Sequence, residues 1–510
     1  MSTTFVFVTK VFFFAKKCGI LAELHSHFAT QRKGTPMSNT LTQTLTATET
    51  ATDTKALELA RQLDYIQKIK AFGPKFFKIS TYGCQMNERD SEKIAGMLRD
   101  MGYQQTEDTA IADLVIFNTC SVRENAENRL YGNLGKIKAF KQQNPDMKVI
   151  LCGCMMQQDI VIDKIMKSYN YVDIIFGTFN IYRMPQLLHT SYETGEQIID
   201  IWKEHQEIIE DLPSERVLAF KANVNIMFGC SKRCTFCIVP FVRGRERSRP
   251  IEDIITEIKQ LASEGVVEVL LLGQNVNSYG KTFVPKVSFA NLLREVNKIE
   301  GIERIRFVTS HPMDFSDDLI DAMATCDKVC KQLHLPVQSG SNRILLAMKR
   351  NHTAEHYLDI INRAKARMPG IIITTDLIVG FPTETDEDNE ATIELIKQVE
   401  YSNAFSFIYS KREGTPAALM EQVPEHVVKE RFAKVLDVLK PISLKINRQQ
   451  IGTTGQVLVE SLSKNDATLV SGRLDNGLLV HLPGTPAMIG QFVSVKIVDC
   501  KTYYLIGEAL

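Results

Sequence analysis

Short apolar runs alternate with helical stretches over most of the chain, and near the C-terminus the pattern changes to period two. The first three runs cover residues 76–80, 114–117 and 148–151, and a helical pattern follows each of them. Apolar runs of this length with helices between them are typical of a parallel sheet with helical crossovers. We therefore predict an α/β domain over residues 74–190.

Six further strand-like runs with helices between them occupy the middle of the chain, at 222–228, 268–272, 305–308, 332–335, 371–377 and 404–408. This number of runs predicts a partial (β/α)6 barrel of the TIM type over residues 218–440, after a linker at 191–217. The tail, residues 441–510, has about five short alternating runs with glycines at the turns, which predicts a small closed β-barrel. Residues 1–73 are expected to form a disordered, variable extension, apart from a helix over 55–70.

Composition and charge narrow the function classes only slightly. The 510 residues carry 60 Lys and Arg against 60 Asp and Glu, so a nucleic-acid partner would have to bind a local basic patch. Eleven cysteines without the spacing of a disulfide framework favour thiols and metal ligands, and hence a cytoplasmic protein. No apolar run of 18 residues is present, so we expect no membrane span.

The most informative motif is the triad Cys230, Cys234 and Cys237. Three thiolates at this spacing can bind three irons of a cubane cluster, and no other cysteine follows before Cys326. One iron is then open to a small molecule, the arrangement that binds S-adenosylmethionine (SAM) and cleaves it to a radical. A structural zinc site, which needs a fourth ligand such as the distant His334, and inert thiols are the alternatives.

A second set of cysteines follows the three strands of the first domain. Cys84, Cys120 and Cys154 each stand where a strand ends, and ligands of parallel sheets collect beyond the carboxyl ends of the strands. The repeated placement predicts a second three-thiolate site, although any one of these residues could be a buried small hydrophobe. Cys152 is interpreted as packing, and an exchange of roles with Cys154 stays open.

Polar clusters follow the barrel strands, at the end where parallel barrels carry their chemistry. Together they predict a pocket for SAM and substrate, although each could be turn chemistry. The candidate cofactor-binding residues are Gln274, Asn275, Asn277, Gln338 and Asp376. Four arginines after the triad alternate along what we expect to be an extended segment, which would place them on one face suited to carboxylate or phosphate: Arg243, Arg245, Arg247 and Arg249.

With these pieces in order, residues 75–510 resemble the radical SAM methylthiotransferases, and the loops are most similar to those of the MiaB-type branch of that family. The tail is similar to the TRAM domain, which contacts tRNA in this family. The segments that carry the resemblance are 82–87, Asn118-Thr119-Cys120-Ser121-Val122-Arg123, Gly153-Cys154, the triad with Val239-Pro240, the arginine run Arg243 to Arg249, 272–277, Thr309-Ser310-His311-Pro312 and 334–341.

The resemblance implies two [4Fe–4S] clusters, one on Cys230, Cys234 and Cys237, which also binds SAM, and one on Cys84, Cys120 and Cys154. It implies addition of a methylthio group to C2 of isopentenyl (dimethylallyl) adenosine next to the anticodon of tRNA. The implied partners are this tRNA and an electron donor such as flavodoxin or ferredoxin, and we expect a monomer.

Two alternatives stay open from the sequence. One is a methylthiotransferase for another acceptor, either threonylcarbamoyladenosine in tRNA or an aspartate of a ribosomal protein. The other is a metal-stabilised RNA-binding protein without enzymatic activity, in which both cysteine sets hold structural metal.

Overall fold

The computed structural model describes residues 47–122, 124–204, 208–210 and 213–510. The disordered extension predicted for the N-terminus therefore lies outside the described residues up to position 46, as does Arg123 of the sequence motif. The predicted helix over 55–70 is present as α1, Ala47–Lys70. Its Ile66 and Ile69 are buried in the first apolar core. Within the described residues, no helix combines the length and the apolarity needed to cross a membrane.

The first module is a parallel six-stranded sheet in the order β2-β1-β3-β4-β5-β6. Every residue of the central strand β3 is buried, because helices cover both faces of the sheet. β6 pairs with β5 although it lies inside the predicted linker at 191–217. The strands are β1 Lys75–Tyr82, β2 Tyr103–Gln105, β3 Leu114–Thr119, β4 Lys148–Cys152, β5 Ile174–Phe176 and β6 Ile198–Asp200, and the helices are α2 Gln85–Asp100, α3 Glu124–Gln143, α4 Asp159–Ser168 and α5 Met184–Thr194.

The middle module is the predicted barrel, built from two three-stranded parallel sheets, β7-β10-β11 and β12-β13-β14. A parallel bridge between Ile305 and Val329 joins the two halves, whereas the edge strands β7 and β14 belong to different sheets. The barrel is therefore open on one side. Its strands are β7 Lys221–Asn225, β10 Glu268–Leu272, β11 Arg304–Phe307, β12 Gln332–His334, β13 Ile372–Val379 and β14 Asn403–Ile408, beside the short pair β8 Met227–Phe228 and β9 Arg247–Ser248.

Helices cover the outside of this barrel and bury one large apolar core against it. Five of them begin with a Ser or Thr side chain that accepts a hydrogen bond from the first helical turn, which satisfies an otherwise free N–H group. The helices are α6 Val239–Val242, α7 Ile251–Ser263, α8 Phe289–Asn297, α9 Asp317–Thr325, α10 Asn342–Ala347, α11 Ala354–Arg367, α12 Asp386–Val399 and α13 Glu425–Arg448.

The tail forms the predicted closed barrel, in the order β15-β16-β17-β19-β18. The inward-facing residues are apolar and fully buried, as in Val457, Val470 and Val495. The strands are β15 Thr454–Leu462, β16 Leu469–Arg473, β17 Leu479–Pro483, β18 Phe492–Cys500 and β19 Leu505–Ala509. The α/β class and the three-part architecture predicted from the sequence are confirmed.

The tail packs against the amino ends of the barrel strands. The guanidinium of Arg304, in the first position of β11, donates to the carbonyl of Arg473 at 2.8 Å, and that of Arg306 donates to the carbonyl of Leu474 at 2.7 Å. Beneath them Glu268, which is 1% exposed, lies 2.8 Å from Lys221 and 3.1 Å from Arg306. These contacts fix the tail at the end of the barrel opposite to the carboxyl ends of its strands.

We expect Glu268→Gln to destabilise the protein by about 3 kcal/mol, because it removes a carboxylate, 1% exposed, that lies between the cations of Lys221 and Arg306. Chemical unfolding followed by circular dichroism measures the change. Glu300→Gln, at an exposed position on the same end of the barrel, is the control and should unfold like the wild type. Equal midpoints for both variants would show that this network does not stabilise the fold.

Candidate active site

The triad loop leaves the carboxyl end of the first barrel strand through a turn at Gly229. The φ angle of Gly229 is 72°, and a Cβ atom there would lie 2.1 Å from the carbonyl oxygen of Arg245. The next residue, Cys230, donates its N–H to the carbonyl of Gly244 at 3.0 Å. The loop can therefore approach the segment that returns past it only because position 229 has no side chain.

The other end of the loop is fixed by Thr235. Its N–H donates to the carbonyl of Met348 at 3.0 Å, and its hydroxyl donates to the carbonyl of Ala347 at 2.9 Å. Its own carbonyl accepts a hydrogen bond from Ala417 at 3.0 Å. The loop that carries the three cysteines is thus held by backbone contacts on both sides.

The three thiols of the triad are buried or partly buried, and they interact electrostatically with one another. Burial raises the pKa of Cys230 to about 11 and that of Cys237 to about 12, and the charge of Cys234 adds to both shifts. A guanidinium nitrogen of Arg350, 5% exposed, lies 3.7 Å from the sulfur of Cys234. The thiols of Cys230 and Cys237 are therefore neutral at pH 7, and metal binding has to release these two protons.

The second cysteine set lies at the ends of three adjacent strands. Tyr82 pairs with Thr119 and Asn118 pairs with Cys152, so β1, β3 and β4 end side by side. The chain then continues from each strand into the cysteine that follows it, Cys84, Cys120 or Cys154. The structure thus brings together the three residues predicted from their strand-end positions.

The electrostatics of these thiols shows how closely they interact. A hydrogen bond to Cys120 lowers the pKa of Cys84 to about 5, against the opposing effect of burial. That hydrogen bond, burial and the charge of Cys154 raise the pKa of Cys120. Cys152, by contrast, is 1% exposed and packs in the apolar core.

A glycine also shapes this second set. Gly153 precedes Cys154 and has a φ angle of 96°. A Cβ atom at this position would lie only 2.4 Å from Oδ1 of Asn118, so a side chain does not fit there.

Among the described residues, no three His, Cys, Asp or Glu side chains are grouped closely enough to chelate a single metal ion. A cubane cluster binds each thiolate through a different iron, so its ligands lie farther apart than those of one ion. The two sets of three cysteine sulfurs therefore fit two such clusters.

The prediction that four arginines share one face of an extended segment is wrong. The segment instead begins at the end of α6, turns at Gly244 with a φ angle of 73°, and continues into the short strand β9. The four side chains point to different surroundings. Arg243 is buried against the first module, Arg245 is exposed, Arg247 lies over the rings of Phe179 and Phe228, and Arg249 donates to the carbonyl of Asn225 at 2.6 Å.

Three of the candidate cofactor-binding residues follow β10. Asn275 donates to Asp314 at 2.7 Å, while its own Oδ1 is buried without a partner. Gln274 contacts the sulfur of Met86, and its Oε1 is also buried without a partner. Asn277 donates to the carbonyl of His311 at 2.8 Å and accepts from its N–H at 2.9 Å, so this side chain holds the neighbouring loop.

The other two candidates lie in the opposite half of the barrel. Gln338 has a φ angle of 75° and donates its N–H to the carbonyl of Asp376 at 2.9 Å. The carboxylate of Asp376 lies 3.6 Å from Nε2 of His334. The structure therefore places the five candidates on both half-sheets, four of them in segments that follow strands and Asp376 within β13.

Several buried polar atoms at this end of the barrel have no hydrogen-bond partner among the described residues. Such atoms are costly unless a ligand or water pairs with them, so they fit a polar ligand rather than an apolar core. Burial lowers the pKa of His311 to about 2 and that of His352 to about 4, and the charge of Arg350 adds to both effects, so both rings are neutral at pH 7. The unpartnered atoms are Oε1 of Gln274, Oδ1 of Asn275, Oγ of Ser310, Nε2 of His311, Nε of Arg350 and Nε2 of His352.

Comparison with protein families agrees with this three-part arrangement. The Radical SAM superfamily matches residues 224–396, the Uncharacterized protein family UPF0004 matches residues 76–177, and the TRAM domain matches residues 448–510. The first of these matches contains the triad and the second contains the three strand-end cysteines.

Curated relatives extend over nearly the whole molecule. A tRNA-2-methylthio-N(6)-dimethylallyladenosine synthase from Lachnoclostridium phytofermentans is 53% identical over 438 residues, 86% of this chain and 96% of the relative. The enzyme of that name from Alkaliphilus oremlandii is 50% identical over 457 residues, 89% of this chain and 97% of the relative. This chain belongs to the tRNA-2-methylthio-N(6)-dimethylallyladenosine synthase family. The family resemblance inferred from the sequence is confirmed.

A solved structure supports the fold. The radical S-adenosylmethionine methyltransferase TsrM from Kitasatospora setae, solved with cobalamin and a [4Fe-4S] cluster, has a TM-score of 0.51 and 14% identity. The match covers 68% of this chain and 77% of that chain. At this identity the likeness concerns the fold alone.

We expect Gly229→Ala to lose the cluster on the triad, because the new Cβ atom meets a backbone oxygen and forces the loop away from its position. Iron analysis after anaerobic reconstitution should find about four irons per chain fewer than in the wild type. Gly132→Ala is the control, since a Cβ atom there has no neighbour within 4 Å, and its iron content should be that of the wild type. Full iron loading of Gly229→Ala would disprove the role of this turn.

Proposed function

We propose that this chain adds a methylthio group to C2 of N6-dimethylallyladenosine beside the tRNA anticodon, with SAM and two [4Fe–4S] clusters as cofactors. The observation that carries the proposal is the full-length likeness, at about half identity, to enzymes named for this activity. The site supports it, because two groups of three cysteines lie at the carboxyl ends of two parallel sheets.

We assign one cluster to Cys230, Cys234 and Cys237 and the other to Cys84, Cys120 and Cys154. When bound, the first supplies the electron that cleaves SAM to a 5′-deoxyadenosyl radical, and the second carries the sulfur to be transferred. The task of the protein is to hold these groups in register and to keep water away. The burial of most of these sulfurs serves that task.

The unpartnered polar atoms are our candidates for binding SAM. Oε1 of Gln274 and Oδ1 of Asn275 are acceptors suited to an ammonium group, and Nε of Arg350 is a donor suited to a carboxylate. We assign Gln338 and Asp376 to the opposite side of the same pocket. Asn277 is assigned a positioning role, because both ends of its side chain are bound to the backbone of His311.

We place the entry of the acceptor base at the open side of the barrel. Phe405 and Phe407 on the edge strand β14 are 49% and 50% exposed, which is unusual for aromatic side chains on the same face of a barrel strand. The ring of Phe405 lies 5.8 Å from that of His334, and its strand partner is Asp376. An aromatic face beside a polar pair suits a flipped purine that carries an apolar isoprenoid group.

We also infer a one-electron donor such as flavodoxin or ferredoxin, a monomeric state and a cytoplasmic location. Support for the donor comes from the chemistry, since radical formation from SAM consumes single electrons. Support for the location comes from the substrate, because the relatives' name specifies tRNA.

The assignment of the two cysteine sets predicts two different defects. Alanine at Cys230, Cys234 or Cys237 should abolish SAM cleavage, whereas alanine at Cys84, Cys120 or Cys154 should spare some cleavage but stop methylthiolation. Mass spectrometry of 5′-deoxyadenosine and of digested tRNA measures both products, after reaction with dithionite and isopentenylated tRNA. Cys152→Ala is the matched control, because Cys152 is buried in the core next to the second set, and it should keep both products.

Methylthiolated nucleoside from either group of alanine variants would contradict the assignment. SAM cleavage by the wild type without modified isopentenylated tRNA would keep the chemistry and move the acceptor to another tRNA nucleoside or to a protein side chain. Bound zinc without cleavage would contradict the whole proposal.

We expect Phe405→Ala to raise the KM for isopentenylated tRNA about tenfold, since stacking of one base on an aromatic ring is worth about 1–3 kcal/mol. The ratio of methylthiolated product to 5′-deoxyadenosine should fall at the same time, because a badly held acceptor misses the radical. Phe405→Tyr keeps the ring and is the matched control. A KM that is the same for alanine and tyrosine at this position would refute the stacking role.

A further inference from the structure

Arg243 reaches from the triad loop into the second cysteine set. It follows α6, which ends with the Arg243 N–H donating to the carbonyl of Val239 at 2.8 Å. Its Nε–H donates to the sulfur of Cys154 at 3.1 Å, and a terminal nitrogen donates to Asp90 at 2.6 Å. The side chain of Arg243 is 4% exposed and that of Asp90 2%. The guanidinium is thus held in one orientation by two buried partners.

The charge of this guanidinium is secured by its surroundings. Arginine stays protonated in proteins, and the carboxylate of Asp90 pairs with this guanidinium at 2.6 Å. A buried cation beside sulfur ligands favours their anionic form, which is the form that binds iron.

The same few residues also contact the first cysteine set. Gly244, next to Arg243, accepts the backbone hydrogen bond from Cys230, the first residue of the triad. Ile238, just before α6, and Val242, its last residue, pack against Cys154. The segment that ends the triad loop is therefore also the wall of the second set.

We propose that Arg243, oriented by Asp90, is a positioning residue of the second iron–sulfur site, where its Nε–H donates to the sulfur of Cys154 while that sulfur binds iron. The inference rests on the proposed function, which assigns Cys154 to a cluster. Hydrogen bonds to ligand sulfurs and nearby positive charge stabilise the reduced cluster and raise its reduction potential. Arg243 would therefore set the potential of the second cluster, and not only join the two modules.

The test is a redox titration of the reconstituted full-length protein, followed by electron paramagnetic resonance. Arg243→Gln should shift the midpoint potential of the second cluster to a lower value, because the shorter neutral side chain loses both the hydrogen bond and the charge. Arg243→Lys keeps the charge and should show a smaller shift.

The triad cluster is the internal reference, and its potential should change less than that of the second cluster. A chain with alanine at Cys230, Cys234 and Cys237 isolates the signal of the second cluster. Arg249→Gln is the matched control, because Arg249 is 3% exposed, pairs with Glu257 at 2.7 Å and donates to the carbonyl of Asn225. It should leave the potential of the second cluster unchanged.

A second cluster that is fully loaded in Arg243→Gln and has the wild-type potential would overturn the inference, even if the variant were less stable. An equal shift in Arg249→Gln would also overturn it, since it would indicate general loosening. If Arg243→Gln does not load the second cluster, Arg243→Lys decides, and an unchanged potential there overturns the proposal. A wild-type protein that binds no second cluster would instead overturn the proposed function, and this inference with it.

Discussion

Buried thiols at the carboxyl ends of parallel strands are the constraint on which the rest of this structure depends. A parallel sheet directs the ends of adjacent strands to one edge, so residues that follow each strand converge without being close in sequence. Cys84, Cys120 and Cys154 converge in this way. The triad, in contrast, is held by a single loop, whose course depends on Gly229 and Thr235.

The position of the tail adds a constraint on the substrate. The TRAM-type barrel packs on the amino ends of the barrel strands, where Arg304 and Arg306 donate to its backbone, whereas the cysteines lie at the carboxyl ends. An RNA that touches the tail and presents a base to the thiols has to extend along the wall of the barrel. A folded tRNA can do this and a free nucleoside cannot, which agrees with the polymeric acceptor in the name of the relatives.

The parts that could be predicted from the sequence are those that depend on local pattern. Six barrel strands, the five-stranded tail and the two cysteine sets follow from apolar runs, glycine turns and strand-end positions, and the structure has these strands close to where they were expected. The arginine segment could not be predicted in the same way. The alternation of arginines with other residues predicts an extended strand. In the structure the chain instead makes a left-handed turn at Gly244, which lies against Phe179, and Arg243 contacts Cys154.

Other features were hidden for related reasons. β6 is only Ile198–Asp200, too short to have a periodicity of its own, and it exists because β5 offers an edge to pair with. Asn277 has the kind of amide side chain that often binds ligands. Its nitrogen and its oxygen are instead hydrogen-bonded to the backbone of His311, in a loop that is distant in sequence. The partner of Arg243, Asp90, lies on a helix of the first module, and nothing in the local sequence of either residue indicates the pair.

The central claim is that one chain holds two separate iron–sulfur clusters on two sets of three cysteines. A crystal structure of the anaerobically reconstituted protein, with anomalous data collected at the iron absorption edge, tests it most directly. The account predicts two iron peaks, one bound by Cys230, Cys234 and Cys237 and one bound by Cys84, Cys120 and Cys154, with Arg243 beside the second. A single iron peak, or anomalous signal from zinc at either set of sulfurs, would contradict it.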